Sequence, residues 1–135
     1  MYTIEYSKKL DDMSPVKYKI MECAISFGIN FLKIKSDFKI YLTHSDDDLD
    51  FEMTLACYNP QNHDIHTRFN GRIIMDIIRS IFHEMVHLSD NENNNIDWEK
   101  YDSIYSMPEY RANTIAGIMC KLFTKKFDCK WIYKI

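Results

Sequence analysis

Hydrophobic and polar positions recur along this chain with two different periods, and the switches between them mark its elements. Ser14 before Pro15 is a helix-start signal: a hydroxyl able to cap free N–H groups, then a proline whose missing N–H costs nothing there. Val16, Ile20, Cys23, Ala24, Phe27 and Phe31 follow at helical spacing, with Lys17, Lys19 and Glu22 off that stripe. This predicts a helix from about Pro15 to about Lys33. The first dozen residues alternate weakly, as a short strand or an arm would. Phe38, Ile40 and Leu42 alternate with Lys39, Tyr41 and Thr43, the period of a half-buried strand. The run SDDDLD from Ser45 to Asp50 breaks that period and reads as a solvated acidic loop, since it lacks the spacing and closing glutamate of a calcium loop. Phe51, Met53, Leu55 and Cys57 then alternate again, and Asn59-Pro60-Gln61-Asn62 has turn chemistry. Ile65, Thr67 and Phe69 face one way and Asp64, His66 and Arg68 the other, which predicts an antiparallel hairpin ended by Asn70-Gly71.

From Arg72 to about Ser89 the period becomes helical. Ile73, Ile74, Ile77, Ile78, Ile81, Phe82, Met85 and Leu88 cover most of the circumference, so this helix is central and largely buried. Arg72, Asp76, Arg79, Ser80, His83, His87 and Asp90 fall at steps of three and four and form one narrow polar stripe. Asn91 to Ser106 is polar and Asn-rich and reads as an irregular loop. A last helix starts near Pro108 and runs through Ile115, Met119, Leu122 and Phe123, and the tail from Lys125 to Ile135 fits either helix or strand. With no repeat and no boundary signal, residues 1–135 read as a single α+β domain. In it a small antiparallel or mixed sheet packs on an N-terminal helix, a central helix and a C-terminal helix.

Composition narrows the classes. In 135 residues, 46% are hydrophobic and 14% aromatic, enough for one core and too much for a disordered chain. A net charge of −3 argues against a nucleic-acid partner, which needs a basic face. No apolar run approaches the roughly 20 residues that span a bilayer, so no membrane is expected. The start, MYTIEYSKKLDD, has no apolar stretch of the signal-peptide kind, which makes the cytoplasm the expected compartment. Cys23, Cys57, Cys120 and Cys129 stand far apart, with no CxxC pair, so reduced thiols are expected rather than disulfides or a four-cysteine zinc site.

Chemistry concentrates at His83-Glu84-Met85-Val86-His87, an HExxH on the predicted central helix. Histidines four apart are separated by about 40° around the axis and roughly 6 Å along it, so their imidazoles can converge on one cation, most often Zn²⁺. Glu84, about 100° round from His83, is placed as the base that takes a proton from a metal-bound water. With this content of His and Glu, on the order of one chain in a hundred would carry the pattern by chance, and its place on the one polar stripe sharpens it further. A catalytic zinc needs a third protein ligand and an open fourth position. Glu109, 22 residues beyond His87 at the start of the last helix, is the best candidate, and Asn113 one turn on could orient a ligand. Two rivals stay open. Ser106-Met107-Pro108-Glu109 also fits a capping box, and Asp90 is an alternative third ligand. His63 and His66, at odd and even places of one strand, cannot both point inward. Ala112, Ala116, Gly117 and Cys120 are small and would let the last helix approach the central one closely.

HEMVH followed by PEYRANTIAG resembles the zinc-peptidase pattern of the gluzincin type. In particular it is similar to the small phage- and mobile-element-associated metallopeptidases of the ImmA/IrrE-like group, which carry HExxH and then a helix reading E-x-x-A-N; Glu109, Ala112 and Asn113 match that second motif. The resemblance covers about Arg72 to Leu122. It implies a zincin-like fold, Zn²⁺ held by His83, His87 and Glu109, Glu84 as catalytic base, and a peptide or protein substrate met in a host cytoplasm if the chain is phage-encoded. Met85-Val86 replaces the commoner small pair, and no helix-turn-helix or sensor domain is read within these 135 residues, so a repressor-cleaving role is not expected. The chain also resembles SprT-like proteins, though with neither their zinc ribbon nor a downstream histidine ligand in this sequence. For the oxyanion of an acyl-transfer intermediate, Tyr101, Tyr105, Tyr110 and Arg111 are available. The strand before the central helix could take a peptide as an added strand if it lies at an edge. The alternative reading is a non-catalytic protein-binding module on a zincin scaffold with a structural metal. Spacing alone does not separate Zn from Mn or Fe.

Overall fold

The computed structural model describes residues 1–6, 14–43, 56–69, 71–94, 107–127, 132 and 135. In chain order the elements are β1 (Tyr2–Tyr6), α1 (Pro15–Leu32), β2 (Phe38–Thr43), β3 (Ala56–Asn59), β4 (Asp64–Arg68), α2 (Ile74–Asn94) and α3 (Met107–Phe127). The expected α+β class holds: among the described residues three helices accompany one mixed four-stranded sheet.

Helix α1 begins where the sequence places it. The Ser14 side chain accepts a hydrogen bond from the Lys17 amide at 3.2 Å, with Pro15 in the first turn. It ends without glycine: Lys33 adopts the left-handed conformation at φ 56° and sends its N–H to the Ile29 carbonyl. Its buried face differs from the expected stripe. Ile20, Met21, Ala24, Ile25 and Gly28 are buried, while Val16 and Phe31 are exposed and Cys23 and Phe27 are half-buried. Two neighbouring apolar columns run along this helix, and the Ile20–Ala24 and Met21–Ile25–Gly28 positions are the ones that meet the core. At Gly28 a Cβ would lie 2.7 Å from Met85 Cε and 2.9 Å from its Sδ, so α1 comes down on α2 through the missing side chain.

The sheet order is β1-β2-β4-β3. β1 and β2 are parallel with Tyr2 opposite Phe38, so α1 is the crossover of a β-α-β unit. β2 and β4 are also parallel, and β3 returns antiparallel to β4 with Tyr58 opposite Ile65. The expected hairpin is therefore present over Ala56–Arg68, with its beginning at 51–55 outside the described residues, as are the acidic loop 44–50 and Asn70. Phe38, Ile40 and Leu42 from β2, and Ile65 and Thr67 with the following Phe69, are buried as the alternation predicts. The strand before α2, β4, lies inside the sheet, hydrogen-bonded on both sides, so it has no edge to offer a peptide; the edge on that side is β3.

Helix α2 crosses the core. Ile74, Met75, Ile77, Ile78, Ile81, Phe82, Met85, Val86 and Leu88 are buried, each such side chain removing roughly 1.5–3 kcal/mol of apolar exposure, and Ile73 sits exposed just ahead of the first turn. The helix runs to Asn94, beyond the expected end near Ser89. Polar residues carry this last stretch because they find partners: Glu92 accepts from the Ser36 amide of the α1–β2 connection at 2.6 Å, and within the helix Asn93 donates to the Ser89 carbonyl at 2.9 Å. Ala112, Ala116, Met119, Cys120 and Phe123 form the buried face of α3, and Phe82 and Phe123 meet edge to face. Gly117 is not pressed at all: a Cβ there would meet only Arg79 Nη1, at 4.0 Å. Of the tail left open between helix and strand, α3 takes Lys125–Phe127, and the buried Ile132 joins the core. Among the described residues no helix is long and apolar enough to cross a membrane.

Candidate metal centre

The polar stripe of α2 brings His83 and His87 one turn apart, with ring centroids 4.8 Å apart and the rings nearly perpendicular. Their Nε2 atoms lie 3.2 Å from each other. Small residues Ala112 and Ala116 let the start of α3 settle close to α2, and Glu109 on its first turn reaches both rings. Its Oε2 lies 3.0 Å from His83 Nε2 and its Oε1 lies 2.6 Å from His87 Nε2. Glu109 turns its oxygens to the imidazoles; the capping-box alternative involves Ser106, which lies outside the described residues.

These three side chains form a group able to hold a metal ion, with donor atoms all within 4.8 Å of one another. The donor chemistry, two imidazole nitrogens and a carboxylate, suits a divalent cation. The histidine spacing suits one too: ligands at about 2.0–2.1 Å from a tetrahedral ion stand about 3.3 Å apart, and the two Nε2 atoms here are 3.2 Å apart, each approached by a different Glu109 oxygen.

Electrostatics follow from the crowding. Burial opposes a charged His83, yet its hydrogen bond to Glu109, the charges of Glu84 and Glu109, and a hydrogen bond with Asn113 hold it above its ordinary value. Hydrogen bonds from His83 and then His87 pull the Glu109 carboxyl down to about 2, against the opposing effect of burial. Glu84 behaves in the opposite way. It is 7% exposed, and burial pushes its carboxyl up, although the nearby His87 and His83 work against the rise. The backbone N–H of Tyr58, on edge strand β3, hydrogen-bonds this carboxylate.

The remaining sequence candidates fall as follows. Asn113 does contact His83, as expected of a residue that orients a ligand. Asp90 does not join the group; Arg111 engages both its carboxylate oxygens through Nε at 2.9 and 3.0 Å. That pairing also occupies Arg111, while Tyr110 is 70% exposed. Tyr101 and Tyr105 lie outside the described residues. His63 is not a strand residue. It sits in the β3–β4 turn at φ 55°, bonded to Tyr58 and Ser36, whereas His66 stacks on Tyr41 at 4.6 Å from centroid to centroid. Cys23, Cys57 and Cys120 are free thiols, and Cys129 is outside the described residues. What the sequence reading missed is Tyr58. A lone tyrosine ahead of a turn carries no signal that its main chain will meet a carboxylate from another element.

Compared with protein-family models, with curated proteins and with solved structures, the chain matches none.

Proposed function

We propose that this protein is a zinc-dependent metallohydrolase, most simply a peptidase, with His83, His87 and Glu109 as metal ligands and Glu84 as general base. One observation carries the reading: two histidines on one helix and a glutamate from another bring three donor atoms together beside a buried carboxylate one residue along from the first histidine. The resemblance of HEMVH and E-x-x-A-N to gluzincin-type peptidases, and of the chain to the ImmA/IrrE-like group within a zincin-like fold, supports it further.

Zinc bound there would supply Lewis acidity toward a carbonyl and lower the pKa of a water. The protein's own side chains do the rest. Glu84, whose burial raises its affinity for a proton, is suited to accept one from the attacking water and deliver it to the leaving amine. Asn113 steadies the His83 ring while Glu109 holds its negative charge against both imidazoles. Edge strand β3, whose Tyr58 amide meets Glu84, is where a substrate peptide would be added as an extended strand, in place of the interior β4.

The test is metal analysis joined to Glu84→Gln. Near-stoichiometric zinc in both proteins, with hydrolysis of unstructured peptides lost in the variant, is the expected result. Full activity in Glu84→Gln removes Glu84 from the chemistry, and a protein that takes up no zinc removes the proposal.

A further inference from the structure

The main-chain contact on Glu84 is held by a side-chain network on the other end of the same residue. Tyr58 OH accepts from Asn91 Nδ2 at 3.0 Å and lies 2.8 Å from His63 Nδ1. With Asn91 as its donor, the phenol donates to Nδ1, which puts the His63 proton on Nε2. Nε2 lies 2.5 Å from Ser36 Oγ, and the Ser36 hydroxyl and amide both bond the Glu92 carboxylate. One phenol is thus clamped from α2 through Asn91 and from the hairpin turn through His63, and the turn in turn is anchored to the α1–β2 connection. Among the described residues β3 is four residues long and lies at the sheet edge, paired on one side only. Such a strand is otherwise free to fray.

We infer that Tyr58 is a positioning residue of the hydrolytic centre: its phenol, bolted between Asn91 and His63, keeps β3 in the place where its own amide bonds Glu84. The inference rests on the metallohydrolase reading for its catalytic meaning, but the bolt itself acts on the amide whether or not a metal is bound. Removing the hydroxyl leaves the ring, the fold of β4 and the metal ligands in place and releases only the register of β3 against α2.

The experiment compares wild type, Tyr58→Phe and Asn91→Ala by amide hydrogen exchange in the metal-free protein and by steady-state peptide hydrolysis with zinc. Each variant breaks the bolt from a different element. In both, the Tyr58 amide is expected to exchange about tenfold faster, the worth of one hydrogen bond, while Ile65 and Thr67 in β4 keep their protection. With zinc, kcat is expected to fall severalfold in both while zinc affinity holds. Unchanged Tyr58 exchange in the two variants overturns the inference, and so does an equal loss of protection across β3 and β4, which would mean simple destabilisation. The kinetic arm separates the two claims. A wild type inert toward peptides overturns the hydrolase reading, whereas an active one whose kcat survives Tyr58→Phe overturns this one.

Discussion

Arg111 donates through Nε to both carboxylate oxygens of Asp90, at 3.0 and 2.9 Å, and so clasps the far part of α2 to the first turn of α3. The Asp90 side chain is 4% exposed and that of Arg111 56%, so the acid is the buried partner. Glu109 sits two residues before the guanidinium. The clasp therefore sets how α3 presents Glu109 to His83 and His87. Arg111→Met leaves the buried carboxylate without its donor and is expected to cost about 1–3 kcal/mol, read by urea unfolding, and to weaken zinc binding as well. Asp90→Asn, which leaves no stranded charge, should cost less.

Asn113 hydrogen-bonds His83 without being one of the three candidate ligands, so it probes the effect of orientation. Asn113→Ala is expected to lower zinc affinity on the order of tenfold, as loss of a partner behind a metal ligand commonly does, in competition with a chromogenic chelator. His87→Ala and Glu109→Ala should abolish stoichiometric binding, whereas Glu84→Gln should not.

Two opposed shifts in the ligand group set the pH behaviour of the metal-free protein. The Glu109 carboxyl, drawn from 4.5 down to about 2, stabilises the fold above its unfolded value and loses that contribution as pH falls through the folded one. His83, raised above 6.5, contributes fully below its unfolded value and loses that as pH rises through the folded one. Metal-free Tm should therefore be highest between these limits, near about pH 5.5, and decline above neutrality. Zinc demands deprotonated imidazoles, so the gain in Tm on adding it should grow from about pH 6 to about pH 8. Differential scanning fluorimetry across that range, with and without zinc, checks both trends.

Gly28 and Met85 interlock, and their sizes are expected to trade. Gly28→Val overfills the contact and should cost about 1–3 kcal/mol. Adding Met85→Ala should recover part of that loss, although each change alone destabilises. A double-mutant cycle measured by denaturant unfolding reads the coupling.

Removing the metal should not dissolve the domain. Ala112, Ala116, Met119, Cys120 and Phe123 bury α3 independently of Glu109. Chelation is expected to lower Tm while far-UV circular dichroism keeps its helical signal; outright unfolding would mark the ion as structural instead.

Much of this was legible in the chain because the signals were local. Ser14-Pro15 fixes the start of α1, Phe38-Ile40-Leu42 fixes the inner face of β2, and the stripe through His83 and His87 fixes which side of α2 carries the candidate ligands. What could not be read depended on partners distant in sequence. Val16 and Phe31 are as apolar as Ile20, and only the position of α2 decides which column is buried. Asn91 to Asn94 looks like loop until Ser36 and Lys35 are seen donating to Glu92. Nor does alternation say that β4 will sit between β2 and β3, which moves the open edge to the neighbouring strand. Glu109 was a candidate among rivals until its oxygens were seen against both rings.

The ligand group spans two helices whose contributing residues, His87 and Glu109, lie 22 positions apart in the chain. An ion seated among them is also a cross-link, and pinning a loop of that size removes on the order of 3 kcal/mol of chain entropy from the unfolded ensemble. A cation held there would insure the connection it encloses. Substitutions and length changes between the helices can accumulate there at little thermodynamic risk, as long as the two anchor points still meet.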